Sequence, residues 1–311
     1  MARKISLGKE KVLIFIPSPP NEEWISRVQT RFPGLKVVWF NNSKPGGYVS
    51  PDEIARDIWD GVTIYCSFMP ASADRMRNTR FVQLATAGND RWLENEAFHS
   101  PNVVFCSASG CQSPQIAEWV MGTWLASQHE FARFAENQRR GFWERPTPAN
   151  IQDSVGLRMG ILGYGAIGRQ CGKLAKAMGM QVLAYTRGPR ATQESRLDRS
   201  YCVPGTGDPE GLIPDQWFSG SSKEAINHFL SQDLDIIVLC LPLADDNRGM
   251  LGPEQFEIMS KKKTFLSNVA RGALVQTDAL ITALETGKIR GAALDVTDPE
   301  PLPLENECLL D

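Results

Sequence analysis

Short apolar runs alternate with amphipathic stretches along the first third of the chain. The runs are rich in β-branched residues, which is typical of buried strands, and they lie at 12–16, 36–40, 62–66, 81–85 and 103–106. The segments 21–32 and 51–59 have helical spacing, and Pro51 suits a helix start because the first helical N–H needs no partner. This alternation predicts parallel strands joined by helices, so residues 1–106 should form one α/β domain.

A long apolar segment separates this part from a second round of the same alternation. Ser113-Pro114 is a helix-start signal, and the helical pattern of 115–138 predicts one long helix that could bridge two domains. Residues 188–220 are rich in Gly and lack periodicity, which predicts an irregular insertion. The later predicted strands are 159–162, 181–185, 234–240, 264–268 and 292–296.

The composition is that of an ordinary globular protein and excludes several classes of function. Of 311 residues, 42% are hydrophobic and 22% charged, and 33 Lys+Arg against 36 Asp+Glu give a net charge of -3. This balance lacks the basic excess that nucleic-acid binding needs, and no apolar run is long enough for a signal peptide or a membrane span. Seven cysteines without a Cys-x-x-Cys pair argue against a disulfide framework and a zinc site. We therefore expect a cytoplasmic protein without a metal.

A glycine-rich turn is the first candidate for chemistry. Gly163-Tyr164-Gly165-Ala166-Ile167-Gly168 follows a predicted strand directly and precedes a predicted helix at 169–178, which is the context of a dinucleotide-binding turn. Gly163 would allow the tight turn, Gly165 the approach of a pyrophosphate, and Gly168 the packing of the helix on the strand. The helix N-terminus, with Ala166 and Ile167 beside it, would supply N–H groups and a positive dipole. A purely structural turn is the alternative.

The residues after the next predicted strand bear on the choice of dinucleotide. An NAD site places an acidic residue there to hold the ribose hydroxyls, whereas this chain has Thr186-Arg187-Gly188-Pro189-Arg190. Arg187, with Thr186 and Arg190, could pair with the extra 2′-phosphate of NADP through charge-assisted hydrogen bonds. We expect NADP(H) to be preferred, with NAD(H) as the second cofactor. A solvated arginine in a loop is the alternative interpretation of Arg187.

Charged residues also follow the last two predicted strands. Arg271 lies beyond the end of one strand, and Asp295 and Glu300 follow the strand that begins at 292. Ligands bind at the carboxyl ends of strands in doubly wound sheets. These residues are therefore candidates for a site, although by residue type alone each would more often be a surface charge.

Four motifs in register make the chain resemble the D-isomer-specific 2-hydroxyacid dehydrogenases, which include glyoxylate/hydroxypyruvate reductases. The motifs lie at 163–168, 240–243, 268–275 and 291–302, and the insertion at 188–220 is similar to that of fungal members. The resemblance covers nearly the whole chain. It implies an α/β fold of two Rossmann-like, doubly wound parallel-sheet domains with an active-site cleft between them. Residues 1–106 would form a flavodoxin-like substrate-binding domain, to which 299–311 begins to return, and 107–298 the NAD(P)-binding domain.

The resemblance also implies roles for individual residues. Arg271 would be catalytic and hold the substrate carboxylate and carbonyl, because a bidentate guanidinium matches a planar carboxylate and stays protonated. The backbone N–H groups of Ala87 and Gly88 would bind the same carboxylate, and Asp295 would fix the nicotinamide carboxamide. The other implied cofactor contacts are Leu241, Pro242, Asn247, Val269 and Ala270.

The catalytic histidine of the family has no counterpart among residues 1–311. In the family this His is a general acid, and a carboxylate at the position of Glu300 raises its pKa. The histidines of this chain, His99, His129 and His228, match no catalytic position, and the family's His would lie beyond Asp311. We interpret the chain as truncated at its C-terminus. The alternative is a distinct product that binds the cofactor but turns over poorly.

The sequence thus predicts an oxidoreductase that transfers a hydride between NADPH and a small 2-oxo acid, such as glyoxylate or hydroxypyruvate. A catalytically weak dinucleotide-binding sensor or interaction protein is the alternative. The apolar surface of the Trp-rich segment 113–138 is expected to form a homodimer, as in relatives of the family, although a buried interdomain helix would show the same pattern.

Overall fold

The chain folds into two compact units, Met1–Ser109 and Gly110–Asp311. The structure is a computed structural model, and it describes residues 10–146 and 151–303. The division falls after Ser109, and residues 299–303 belong to the second unit. The rest of the segment predicted to return toward the first domain, 304–311, lies outside the described residues.

The first unit is built on a five-stranded parallel sheet in the order β2-β1-β5-β6-β7. Without the small β3-β4 hairpin this is the order 2-1-3-4-5 of flavodoxin-like sheets. Alternate residues of β1 enter opposite cores, Leu13 and Phe15 on one face and Val12 and Ile14 on the other. The elements are β1 (Lys11–Ile16), α1 (Glu22–Arg31), β2 (Lys36–Asn41), β3 (Ser43–Lys44), β4 (Gly47–Tyr48), α2 (Arg56–Trp59), β5 (Ile64–Ser67), β6 (Phe81–Leu84) and β7 (Val104–Cys106), with 3₁₀ turns at Asp90–Trp92 and Glu96–His99.

Helix α2 is shorter than the predicted helix at 51–59. Residues 50–53 form a turn in which the N–H of Glu53 donates to the carbonyl of Ser50 at 3.0 Å. The indole of Trp59 donates to the Pro51 carbonyl at 3.2 Å, so that this carbonyl serves a side chain. The prediction of a helix start at Pro51 is therefore wrong, and the helix begins at Arg56.

The second unit is built on a six-stranded parallel sheet in the order β10-β9-β8-β11-β12-β13. Counted from β8 this is the order 3-2-1-4-5-6 of dinucleotide-binding folds, so the predicted doubly wound α/β class is confirmed. Cores lie on both faces of this sheet, as the two-sided burial of β11 shows. The elements are α3 (Ser113–Gln128), α4 (Phe131–Arg139), β8 (Arg158–Leu162), α5 (Ala166–Ala177), β9 (Gln181–Thr186), α6 (Gln193–Arg196), β10 (Gln216–Ser219), α7 (Lys223–Leu230), β11 (Ile236–Leu239), α8 (Pro253–Ser260), β12 (Phe265–Asn268), α9 (Thr277–Glu285) and β13 (Ala292–Leu294), with a 3₁₀ turn at Gly272–Leu274.

The predicted single helix at 115–138 is two helices. Glu130 has a φ of 51°, in the left-handed region that a right-handed helix cannot contain, so α3 and α4 are separate. The buried face of α3, including Ala117, Val120 and Trp124, packs on the core of the second unit. Helix α3 is therefore one of the helices that cover the second sheet.

The segment 188–220 is irregular as predicted, but it also contains two elements that the prediction missed. The short helix α6 begins at a capping box in which Thr192 and Ser195 bond each other's backbone. Strand β10 extends the sheet by pairing with β9, from Gln216 opposite Leu183 to Ser219 opposite Thr186. This segment is thus an integral edge of the second sheet.

The described residues lack the features of two other classes of protein. None of their helices combines the length and the apolar character that a membrane crossing requires. They also contain no cluster of three or more His, Cys, Asp or Glu side chains that could hold a metal ion.

Candidate functional site

The glycine-rich turn lies where the strand order of the second sheet reverses direction. Strand β8 ends at Leu162, and Gly163 follows with a φ of 105°, a conformation that favours glycine. A Cβ on Gly163 would lie 2.8 Å from the carbonyl carbon and oxygen of Cys240, which follows β11. The turn is therefore packed between the carboxyl ends of two neighbouring strands, where doubly wound sheets bind ligands.

The other two glycines of the turn differ in the space around them. A Cβ on Gly168 would lie 2.4 Å from the Gly163 carbonyl oxygen, so only glycine allows α5 to approach β8 this closely. A Cβ on Gly165 would meet no atom within 4 Å, and no side chain of the described residues caps α5 at this position. The first N–H groups of α5, at Ala166 and Ile167, therefore stand beside open space, which fits an incoming pyrophosphate.

The segment 188–220 is hydrogen-bonded to this turn through Tyr164 and Asp208. Tyr164 is 4% exposed, and its hydroxyl donates to the Asp208 carboxylate at 3.0 Å. Burial and the adjacent Asp208 raise the pKa of Tyr164 far above its usual value, so the phenol keeps its proton. Asp208 also accepts the N–H groups of Leu212 and Ile213 at 3.0 and 3.1 Å. A buried carboxylate thus fixes the insertion to the turn.

Cys240, whose backbone lies against Gly163, has an unreactive thiol. A hydrogen bond with Cys171 and burial raise the pKa of Cys240 well above its usual value. Cys240 is therefore a neutral thiol at neutral pH, and it contributes packing to the turn but no thiolate.

Four of the predicted cofactor residues line one cavity of about 110 Å³. They are Arg187, Leu241, Pro242 and Asn247, and Tyr185 and Asp246 line the same cavity. The Asn247 side chain holds the loop after β11 in shape, because it donates to the Pro242 carbonyl at 2.9 Å and accepts the Ala244 N–H at 2.8 Å. The fold therefore brings the predicted residues after β9 and β11 together in one cavity.

Sequence reasoning missed Asp246, which forms an ion pair with Arg187 at 2.6 Å between Nη2 and Oδ2. The two residues are 59 positions apart in the sequence, so no local motif links them. Tyr185 adds a buried hydroxyl that has no hydrogen-bond partner among the described residues.

Thr186 and Arg190, which were predicted to bind a phosphate together with Arg187, do not line its cavity. Arg190 does not line the cavity of Arg187, and its guanidinium donates to the Ser195 carbonyl in α6. The Thr186 hydroxyl donates to the Gly188 carbonyl at 2.8 Å and shapes the bend after β9. Of the two predicted arginines, Arg187 lines the cavity and Arg190 does not.

Arg271 is half-buried in a loop that Asn268 holds in shape at the end of β12. Asn268 is 1% exposed, and its side chain accepts the Ala270 N–H and donates to the Arg271 carbonyl, at 3.1 and 3.0 Å. The guanidinium of Arg271 donates to the Ala270 carbonyl at 2.6 Å. The side chains of Val269 and Ala270 are buried in the two cores, so a ligand would meet mainly the backbone of this loop.

A close backbone contact joins the loop after β12 to the segment after β13. A Cβ on Gly272 would lie 2.0 Å from the Thr297 carbonyl carbon, so glycine is required there. The N–H of Asp295 donates to the Asn268 carbonyl at 3.0 Å. Asp295 and Glu300 are both exposed. Arg271, Asp295 and Glu300 therefore follow the carboxyl ends of two neighbouring strands, β12 and β13.

The predicted substrate residues of the first unit lie in the loop after β6. The Thr86 hydroxyl donates to the Gly88 carbonyl at 2.6 Å, which closes a tight loop with Ala87 exposed at its tip.

The three histidines have local partners: a ring nitrogen of His99 lies 2.6 Å from the Leu93 carbonyl, His129 stacks on Phe131, and His228 packs against Phe218.

Comparisons with known proteins agree with this architecture. A sequence model of the "D-isomer specific 2-hydroxyacid dehydrogenase, NAD binding domain" matches residues 121–204 and 216–311, more than half of the chain. Glycerate dehydrogenase from Methylorubrum extorquens is 28% identical over 270 residues, which cover 84% of this chain and 75% of that protein. Glyoxylate reductase from Thermococcus kodakarensis is 32% identical over 177 residues, which cover 57% of this chain and 46% of that protein.

A solved structure has the same fold. The D-isomer specific 2-hydroxyacid dehydrogenase from Xanthobacter autotrophicus, in complex with NADPH and MES, superposes with a TM-score of 0.70 and 26% identity. The match covers 96% of this chain and 84% of that one. The resemblance in the sequence is thus confirmed, and the chain belongs to the D-isomer specific 2-hydroxyacid dehydrogenase family, whose members are NAD(P)-dependent oxidoreductases.

Proposed function

We propose that the chain binds NADP(H), with NAD(H) as the second cofactor, and catalyses hydride transfer between this cofactor and a small 2-oxo or D-2-hydroxy acid such as glyoxylate or hydroxypyruvate. The observation that carries the proposal is the open N-terminus of α5 behind Gly163, Gly165 and Gly168. The named relatives, a glycerate dehydrogenase and a glyoxylate reductase, support the substrate class. The NADPH in the solved relative supports the cofactor.

The residues present fit a dinucleotide at three places along the second sheet. The N–H groups at the start of α5 would bind the pyrophosphate, and Arg187 would bind the 2′-phosphate. When bound, the reduced nicotinamide supplies the hydride. The other residues that would hold the cofactor are Leu241, Pro242 and Asn247 at the adenosine end, and Val269, Ala270 and Asp295 at the nicotinamide end.

Arg271 is the proposed catalytic residue for the substrate. Its guanidinium would hold the carboxylate and polarise the carbonyl of the 2-oxo acid, which orients the carbonyl carbon for attack. In the family, a carboxylate at the position of Glu300 raises the pKa of the histidine that protonates the carbonyl oxygen, and Glu300 would keep this role. Residues 1–311 contain no counterpart of that histidine, so we expect slow turnover, because a missing general acid costs about 100- to 10,000-fold in rate. Ala87 and Gly88 keep the carboxylate-binding role that the family resemblance gives them. The proposed protein is a homodimer located in the cytoplasm. The dimer rests on the family resemblance, and the location rests on the cysteine pattern.

The test combines binding with turnover. The full chain is titrated with NADPH and NADH by thermal shift, and NADPH oxidation is then followed with glyoxylate and hydroxypyruvate. We expect Arg271→Gln to lower kcat/KM by about 10- to 100-fold, because a charge-assisted bidentate contact is lost, and to leave the Kd for NADPH within about twofold. Arg139→Gln, on the exposed side of α4, is the matched control and should leave both values unchanged.

The outcomes separate the parts of the proposal. Full activity of Arg271→Gln would remove the substrate role of this residue. Slow but measurable turnover is the result expected of residues 1–311, which contain no counterpart of the family's histidine. Binding of NADPH with no detectable turnover would favour the dinucleotide-sensor function. The absence of binding to both nucleotides would refute the proposed function as a whole.

A further inference from the structure

Arg187 and Asp246 come from strand ends on either side of β8. Arg187 follows β9, Asp246 lies in the loop after β11, and the sheet order places both strands next to β8. Their side chains meet at 2.6 Å and line one cavity. No acidic residue follows β9 directly, where NAD sites place one. The fold therefore supplies an acid at the adenosine end of the site from a different strand.

The two charges act in opposite directions on the two cofactors. A guanidinium attracts the 2′-phosphate of NADP, whereas a carboxylate accepts hydrogen bonds from the ribose hydroxyls of NAD. The 2′-phosphate carries nearly two negative charges at neutral pH, so a carboxylate beside it is repulsive. The side chains of Arg187 and Asp246 are 74% and 47% exposed, and exposed ion pairs are weak enough to open for either ligand.

We propose that Asp246 is a specificity-determining residue that limits the preference of this site for NADP(H) over NAD(H). The proposal rests on the proposed function, because it assumes that a dinucleotide binds with its adenosine end in the cavity of Tyr185 and Asn247. Asp246 shares Arg187 with an incoming 2′-phosphate and repels that phosphate. With NADH, the carboxylate can accept a hydrogen bond from a ribose hydroxyl while it stays paired with Arg187.

The test is the ratio of the two dissociation constants. The full chain and Asp246→Asn are titrated with NADPH and with NADH by nucleotide fluorescence. Asparagine keeps the shape of the side chain and removes its charge. We expect the Kd for NADPH to fall by about three- to tenfold and the Kd for NADH to stay the same or rise, because one repulsive charge near the phosphate is lost.

Asp245→Asn is the matched control. Asp245 is the neighbouring exposed acid and does not line the cavity, so this variant makes the same change in net charge. We expect its Kd ratio to stay within about twofold of the wild type. An equal effect of both variants would show a general charge effect and overturn the proposal.

Two further results would also overturn it. If the wild-type chain binds both nucleotides and Asp246→Asn leaves the Kd ratio unchanged or shifts it toward NADH, the role of Asp246 falls while the proposed function stands. If the wild-type chain binds neither nucleotide, the proposed function and this inference fall together.

Discussion

Gly168 is the residue at which the turn tolerates least change. The atom that a new Cβ would meet at 2.4 Å is the Gly163 carbonyl oxygen, which belongs to the backbone and cannot rotate away. Ile161 Cγ2 lies 2.8 Å from the same position. Any larger residue must therefore push α5 away from β8, and the N–H groups of the turn move with the helix.

We predict that Gly168→Ala destabilises the fold by about 1–3 kcal/mol, the usual cost of overpacking, and weakens NADPH binding. Gly122→Ala is the control in the same unit. A Cβ at Gly122 meets nothing within 4 Å and Gly122 lies in helix α3, so the variant should gain about 0.5–1 kcal/mol. Urea unfolding followed by circular dichroism measures both values. Equal midpoints for the two variants would contradict the packing argument.

The segment 188–220 acts as a brace for the dinucleotide turn. Its anchor is Asp208, 5% exposed, which accepts hydrogen bonds from Tyr164 and from two backbone N–H groups. Arg169 at the start of α5 is also buried, and its guanidinium donates to the carbonyls of Asp208 and Arg196. The insertion thus holds α5 by polar contacts in addition to the strand pairing of β10.

We predict that Asp208→Ala destabilises the second unit by about 2–4 kcal/mol, because it leaves the buried Tyr164 hydroxyl and two part-buried backbone N–H groups without their charged acceptor. Tyr164→Phe removes one of the three hydrogen bonds and should cost about 1 kcal/mol. Thermal and urea unfolding of both variants, each with and without NADPH, give the comparison. If Asp208→Ala is no less stable than Tyr164→Phe, the brace is not the source of this stability.

Sequence patterns predicted the elements whose signals are local. Buried runs such as 159–162 predict the five strands of the first sheet and five of the six strands of the second, and glycines whose spacing has a steric cause predict the dinucleotide turn. The break at Glu130 could not be predicted, because its left-handed conformation has no sequence signal of the kind that glycine gives. Strand β10 was missed because its four residues, Gln216–Ser219, offer too short a pattern and depend on pairing with β9.

The same distinction applies to the site. Arg187 is predicted because it follows a recognisable strand, whereas Leu241, Pro242 and Asn247 are implied by the family resemblance, and the fold brings all four into one cavity. Asp246, the ion-pair partner of Arg187, could not be predicted from the sequence. The two residues follow different strands, and only the order of the strands in the sheet brings them together. Arg190 was grouped with Arg187 on sequence proximity alone, but the chain turns into α6 and directs its guanidinium to Ser195.

Across the whole molecule, a set of carboxylates shares the same direction of pKa shift. For Glu10, hydrogen bonds from Thr63 and Arg80 lower the pKa. For Asp215, burial acts in the opposite direction, but hydrogen bonds from Lys176 and the Val182 N–H outweigh it and lower the pKa. The carboxylates with a lowered pKa are Glu10, Asp198, Asp215, Glu224, Asp233 and Glu254.

These shifts predict an acid-sensitive fold. A carboxylate with a lowered pKa in the folded state binds fewer protons there than in the unfolded state, so its contribution is complete above the unfolded pKa of about 4. The contribution is lost as the pH falls through the lowered folded pKa. We therefore expect the urea midpoint to be constant from pH 7 to about 5 and to fall steadily below pH 4. Asp215→Asn should be less stable than the wild type at pH 7, with the difference shrinking as the pH falls through the lowered pKa of Asp215 and the wild-type carboxylate takes up its proton. A difference that stays constant over the whole acid range in which the wild type remains folded would show that Asp215 contributes through packing and not through its charge.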